Sequence, residues 1–307
     1  MTVGAAWDAT RPPRHPVLFV NPRSGGGKAA RAGLAGRAPA LGVKAVELRP
    51  GQDLAVLVAD AIAAGADALG MAGGDGSLAV VATAAIAHDL PFVCVPAGTR
   101  NHFALDVGVV RHDVTGSLAA FTDGVQRTID VGDVNGRVFL NNVSLGVYGD
   151  AVQRPGYRDA KARTLLETAR EVLGPSAAAP AVRLVDDREH EHVGPAVLLV
   201  SNNPYALDRP FRRGTRPRLD GGRLGVAVLD APEGPVPGAG YAWTARALDI
   251  QASDPVHAGI DGEAVTLPPA VHFASRPAVL RVLIARRHAA ATRRLRGGAA
   301  ASRFEQS

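Results

Sequence analysis

Residues 68–78 read Ala68-Leu69-Gly70-Met71-Ala72-Gly73-Gly74-Asp75-Gly76-Ser77-Leu78, an apolar run set directly against a glycine turn built around one carboxylate. A short unbroken apolar run suits a strand buried on both faces, and Ser77 to Ala87 then supplies a helix-length stretch. The same order recurs on either side. Val17-Leu18-Phe19-Val20 precedes Asn21-Pro22-Arg23-Ser24-Gly25-Gly26-Gly27-Lys28 and a helical stretch from Lys28 to Ala40. Phe92-Val93-Cys94-Val95 precedes Pro96-Ala97-Gly98-Thr99-Arg100-Asn101. Val43 to Leu48 reads as a further strand, and Asp53 as the N-cap of a helix over Leu54 to Ala64. Strands alternating with helices of this length predict an α/β domain with a doubly wound parallel sheet.

From Thr128 the pattern changes. Strand residues flank Asn135-Gly136, a strong hairpin signal. One helix is predicted over Tyr157 to Leu173, ended by Gly174-Pro175. Short β-like runs then follow at Ala181–Val185, Ala196–Val200, Leu224–Leu229, Val256–Ile260 and Ala278–Ile284. Turn residues separate them, as in a mostly antiparallel β-sandwich. The domains are therefore placed at 1–128 and 129–286, with a tail at 287–307 that packs back on the first domain or frays.

Composition narrows the classes. A chain of 307 residues has room for about two domains. With 47% hydrophobic and 21% charged residues, general disorder is excluded. Cys94 is the single cysteine, which excludes an intrachain disulfide framework and multi-cysteine metal sites. Within Phe92-Val93-Cys94-Val95 it reads as buried strand filler. No apolar stretch approaches the ~20 residues of a spanning helix. Met1 to Pro16 carries Asp8, Arg11, Arg14 and three prolines and has no apolar leader core, so cytoplasmic residence is expected.

The three glycine-bearing segments carry the chemistry. In an open parallel sheet the carboxyl ends of the strands share one edge, where ligands bind. Glycines let backbone amides approach an anion, and helix N-termini add positive potential. Each turn alone is also an ordinary strand-to-helix connection; three on one edge read as a phosphate cradle. Two commoner motifs fail. Pro22 and Ala29 stand where a Walker A loop needs Gly and Ser or Thr, and no G-x-G-x-x-G follows the first strand. Asp75 adds a carboxylate beside the expected phosphates, which needs a cation between them, usually Mg²⁺.

Gly73-Gly74-Asp75-Gly76-Ser77, then Pro96-Ala97-Gly98-Thr99-x-Asn101, together with Asn21-Pro22-x-Ser24-Gly25, resemble the diacylglycerol kinase catalytic-domain family. That family includes bacterial lipid kinases, sphingosine kinases and ceramide kinase, and shares its Gly-Gly-Asp-Gly turn with NAD kinases and phosphofructokinases. Asp130-Val131-Gly132, Asn141 to Gly146, Ser201-Asn202-Asn203, Leu219 to Leu224 and Ile260-Asp261-Gly262-Glu263 resemble its later landmarks. The resemblance implies a nucleotide-binding first domain and a lipid-substrate second domain. It also implies transfer of the γ-phosphoryl group of ATP to a lipid hydroxyl. Asn21, Ser24, Gly25, Gly73, Gly74, Asp75, Gly76, Ser77, Gly98, Thr99 and Asn101 would hold ATP. Asp75 and Asp130 would serve Mg²⁺, and Asp261 would be the general base with Glu263 beside it.

Two departures stand out. His102 occupies a position where the family usually has Asp, and Asp220-Gly221 stands for its Asp-Asp, so no structural Mg²⁺ site is expected there. From Arg276 to Ser307 there are eight arginines against one acid, Glu305. For a kinase of a lipid alcohol this tail implies transient contact with an anionic membrane surface, with peripheral residence on its inner face. No nucleic-acid motif is found. A homodimer is left open. The alternatives are an NAD kinase-like enzyme of a soluble substrate and a non-catalytic nucleotide- or lipid-binding regulator.

Overall fold

The computed structural model describes residues 7–146, 182–206, 216–229 and 240–290. They divide between two compact units, one reaching Ile129 and resuming at Val279, the other running from Asp130 to Ala278.

In the first unit, Asp8–Ala9 (β1) is a short edge piece. Pro16–Val20 (β2) is buried at every position and leads into Ser24–Arg31 (α1) and Leu34–Arg37 (α2). The predicted helix from Lys28 to Ala40 is thus broken. Gly33 lies between α1 and α2 at φ 60, a left-handed conformation that ends a helix, and Pro39 opens a 3-10 turn over Ala38–Leu41. Lys44–Glu47 (β3) and Leu54–Ala63 (α3) follow, and the Asp53 carboxylate accepts from the Ala55 amide at 2.8 Å, the expected N-cap. Ala68–Ala72 (β4) then feeds Asp75–Ala87 (α4), which begins two residues before the expected Ser77, so the glycine–carboxylate turn is itself the helix's first turn. Phe92–Val95 (β5) and His102–Asp106 (α5) complete the alternation. β3, β2, β4 and β5 pair in parallel, in that order, as a doubly wound sheet requires. The core includes Leu18, Val20, Leu34, Val93, Val95 and Phe121.

Gly124–Val134 (β6) pairs with β1 and continues into the second unit, where Asn135 and Gly136, at φ 49 and 83, turn it into Arg137–Phe139 (β7). Asn142–Gly146 (β8), Val182–Val185 (β9), Glu191–Val193 (β10), Val197–Asn202 (β11) and Leu224–Leu229 (β12) follow. Gly240–Ala245 (β13), Ala247–Ala252 (β14), Val256–Ile260 (β15), Glu263–Leu267 (β16) and Ala270–Ala285 (β17) complete the unit. One sheet runs β13-β12-β11-β8-β15-β16, antiparallel throughout. The ladder β10-β9-β14-β17 is antiparallel too. Phe139, Leu145, Val200, Val226, Ile250 and Phe273 fill the core of this unit. The predicted helix over Tyr157–Leu173 lies outside the described residues. Val282 and Leu283, late in β17, pair in parallel with β5, so the chain rejoins the first unit ahead of the boundary at 286 that composition suggested. Among the described residues no helix is long and apolar enough to cross a membrane.

A polar latch holds the returning chain. Asp113 accepts from the Gly116 amide and lies 2.9 Å from His288 Nε2 and from an Arg287 guanidinium nitrogen. Partial burial pushes the Asp113 carboxyl up, but the His288 bond, the Gly116 amide and the Arg287 charge outweigh it and hold the group below its ordinary value. A depressed carboxylate adds stability that is fully present above the unfolded value, about 3.9, and is lost as pH falls through the lower folded value. Asp113→Asn is therefore expected to flatten the acid limb of stability below about pH 4, read from urea midpoints across that window. Equal slopes for variant and wild type would remove the latch from the account.

Candidate active site

The three glycine loops meet. Asn21 leaves β2 with its amide donating to Ala72 O at 2.9 Å, and its Oδ1 accepts from the Arg23 amide at 3.1 Å. Gly25, Gly26 and Gly27 then take φ of 57, 66 and 88, a run that L side chains resist. A Cβ on Gly25 would lie 2.5 Å from Ala97 O, and Lys28 Nζ donates to Gly98 O at 3.1 Å, so the first loop is packed on the third. A Cβ on Gly98 would lie 2.9 Å from Gly74 Cα and 3.0 Å from Gly73 O, so the third is packed on the second. Asn101, buried and left-handed at φ 54, donates through Nδ2 to Pro96 O at 3.1 Å and Gly98 O at 2.9 Å.

Gly74 differs from its neighbours. Its φ of −86 is open to any residue, and a Cβ there would meet nothing within 4 Å. Neither backbone strain nor packing calls for glycine at this position. Asp75, Gly76 and Ser77, all half-buried, form the first turn of α4, and Thr99 is exposed. The charge of Asp75 reaches β5: burial pushes the Cys94 thiol well up, and Asp75 pushes it further. That thiol stays protonated, in keeping with strand filler.

Beside the first loop lies an open hollow of about 360 Å³ lined by Lys28, Arg31, Ala32, Arg111, His112, Val114 and Thr115. Arg31 donates to Gly26 O, and Arg111 reaches Thr99 O at 3.4 Å, so cations buttress the loop carbonyls from outside.

In the second unit the two carboxylates singled out by sequence both meet backbone amides. Asp130, buried, accepts at Oδ1 from the Ala278 amide (2.9 Å), and at Oδ2 from the Gly222 amide (2.6 Å) and Asn203 Nδ2 (3.2 Å). Asp261 and Gly262, at φ 50 and 84, form the two-residue turn between β15 and β16. The Asp261 carboxylate accepts from Leu140 N (2.8 Å), Asn141 N (2.7 Å) and Asn142 N (3.2 Å). Glu263 opens β16 and makes a half-exposed 3.5 Å ion pair with Arg137, worth ~0–1 kcal/mol. Asp220 pairs with Arg218 at 3.0 Å, and His102 is exposed at the start of α5.

The sequence profile of the diacylglycerol kinase catalytic domain matches residues 15–134. Over this stretch the chain is similar to diacylglycerol kinases. A "Diacylglycerol kinase" of Mycobacterium tuberculosis is 35% identical over 122 residues, 38% of this chain and 40% of that relative's length. A "Probable lipid kinase YegS-like" of Pseudomonas aeruginosa is 28% identical over 245 residues, covering 74% of this chain and 79% of its own. A crystal structure of a Bacillus anthracis diacylglycerol kinase superposes with a TM-score of 0.61 at 15% identity over 89% of this chain and 98% of that one, a likeness of fold.

All three glycine loops are thus brought together through Gly25, Gly73, Gly74 and Gly98. Arg31, Arg111 and, in the second unit, Arg216 were not foreseen. Arg31 and Arg111 act on carbonyls of nearby loops and Arg216 on carbonyls as far back as Leu140, and an arginine in an arginine-rich chain gives no local sign of that.

The glycines of the three loops separate by experiment. Gly25→Ala is expected to cost about 2–4 kcal/mol, from overpacking plus the left-handed penalty. Gly74→Ala should cost no more than about 1 kcal/mol, the difference between Gly and Ala at an N-cap. Thermal melts of the two variants check this, and equal losses would mean that Gly74 is fixed by the fold after all.

Proposed function

We propose that the chain is an ATP- and Mg²⁺-dependent lipid kinase that moves the γ-phosphoryl group of ATP to the hydroxyl of diacylglycerol or a related lipid alcohol. The observation that carries this reading is Gly74. It lies beside the Gly98 loop and at the N-terminus of α4, where no protein atom would crowd a side chain, so its open face is free for an anionic ligand. A phosphate seated there would use backbone amides and the helix's positive end, with Asn21, Ser24, Gly25, Gly73, Gly76, Ser77, Gly98, Thr99 and Asn101 shaping the cradle. The choice of a lipid acceptor is supported by the match of residues 15–134 to the diacylglycerol kinase catalytic domain and by the names of the relatives.

The donor set suits a cation shared with phosphates. Among the described residues no group of three His, Cys, Asp or Glu side chains could hold a metal unaided. Mg²⁺ commonly binds through one or two carboxylates plus substrate phosphates, and Asp75 would be the carboxylate here. Bound there, Mg²⁺ would offset charge on the phosphate oxygens. Asp130 would be the second carboxylate of the metal network, as the family resemblance implies.

Asp261 would take the acceptor's proton, with Glu263 steadying its turn. Three amide bonds stabilise the anion and make it a weak base. That suffices where the transition state is loose and the base mainly orients the hydroxyl before accepting its proton late. The same bonds favour the rival reading of a non-catalytic regulator, which turnover separates. Contact with an anionic membrane surface would come from the arginine-rich end of the chain.

Purified protein incubated with labelled ATP, Mg²⁺ and a panel of lipid alcohols should phosphorylate at least one of them. Asp75→Asn should lower turnover by about 10²-fold or more and weaken Mg²⁺-dependent nucleotide binding. Asp261→Asn should lower kcat comparably while leaving nucleotide affinity intact. Nucleotide binding without transfer to any lipid would favour the regulator, and transfer to NAD alone would favour the soluble-substrate kinase.

A further inference from the structure

Behind Asp261 lies a cation whose bonds mirror those of the carboxylate. Arg216 is 1% exposed. Its Nη1 donates to Leu140 O at 2.6 Å, Asn202 O at 2.8 Å and Asn141 O at 3.3 Å, and its Nη2 donates to Asn141 Oδ1 at 2.9 Å. The guanidinium carbon lies 5.8 Å from the centre of the Tyr205 ring, and Tyr205 OH accepts from Asn142 Nδ2 at 2.9 Å.

Two peptide groups are therefore gripped at both ends. The unit joining Leu140 to Asn141 gives its carbonyl to Arg216 and its N–H to Asp261. The unit joining Asn141 to Asn142 does the same. A positive charge on the oxygen side and a negative charge on the N–H side polarise each peptide in its own direction, so the bonds strengthen one another. The arrangement is over-determined for a turn residue. An Asp-Gly hairpin turn forms without a carboxylate anchor, and a buried guanidinium is costly to keep unless its geometry is used.

We propose that Arg216 is a positioning residue for Asp261: by fixing the Leu140–Asn142 backbone it sets where the carboxylate points. It touches no reacting atom. The inference rests on the lipid-kinase reading in which Asp261 takes the acceptor's proton. Lysine carries the charge but has no planar fork to span Leu140 O, Asn202 O and Asn141 Oδ1 together.

Arg216→Lys is therefore expected to lower kcat about tenfold or more while the KM for ATP stays within about twofold. Amide exchange should quicken at Asn141 and Asn142 ahead of the rest of the unit. The deciding test is a double-mutant cycle. In an Asp261→Asn background, Arg216→Lys should have less than about threefold further effect, because its influence runs through the missing carboxylate. Should Arg216→Lys fail to fold, Asn141→Ala removes only the Oδ1 acceptor and should show a smaller loss that likewise vanishes beside Asp261→Asn. Additive losses in the cycle, wild-type kcat, or unchanged exchange at Asn141 and Asn142 would each overturn the positioning role while leaving the kinase reading intact. Full turnover by Asp261→Asn alone would instead remove the base assignment, and the positioning role with it.

Discussion

The carbonyl of Gly98 is the point on which the junction of the three glycine loops depends. It accepts from Lys28 Nζ, which belongs to the first loop, and from Asn101 Nδ2, which belongs to its own. Its α-carbon lies where a single added methyl group would strike Gly73, Gly74 and Asn101. One residue thus registers three loops against one another. Parallel strands fix only the edge on which those loops emerge. Their final approach is set by backbone-to-backbone contact that any side chain at Gly25 or Gly98 would prevent. The lysine that superficially suggests a Walker A loop is drawn into this junction, bonded to a carbonyl.

That division explains what the sequence could disclose. β2, β4 and β5 were legible because each is a short apolar run ending in a turn, and burial on both faces leaves no other solution. The break at Gly33 was not, since apolar spacing continues through it and only the left-handed φ of Gly33 shows that the helix has stopped. In the second unit, β13, β14 and β16 escaped notice. Their patterns, half-exposed or alternating, are short and carry residues such as Gln251, Asp249 and Thr266 that an isolated reading assigns to loops. Pairing partners far along the chain decide them, and pairing is not a local property.

The candidate residues were legible by composition but not by connection. Asp75, Asp130 and Asp261 each stand beside glycine or valine in recognisable motifs, which locates them; it does not say what their oxygens touch. Asp130 ties together the Asn203 side chain and the Gly222 and Ala278 backbones, and Asp261 ties together the backbone from Leu140 to Asn142. Arg216 was invisible for the same reason in reverse. Its stretch, Arg212-Arg213-Gly214-Thr215-Arg216, has the composition of a solvated charge run, yet its last arginine is buried against carbonyls some seventy residues earlier in the chain.

These networks bear on how such a site can keep acidic groups without a standing counter-ion at each. A buried carboxylate isolated from donors would neutralise itself by taking up a proton, and a buried guanidinium would forfeit several kcal/mol of solvation. Amide groups solve both problems at once, because each presents a donor and an acceptor on opposite sides. Between Arg216 and Asp261 the backbone serves as the dielectric medium. It is polar enough to hold both charges, and too rigid to let either side chain collapse onto the other. A direct Arg–Asp pair would consume the carboxylate's directionality. Holding it through two peptide groups keeps the charge in place and its orientation fixed, as the proposed role of Asp261 as proton acceptor would require.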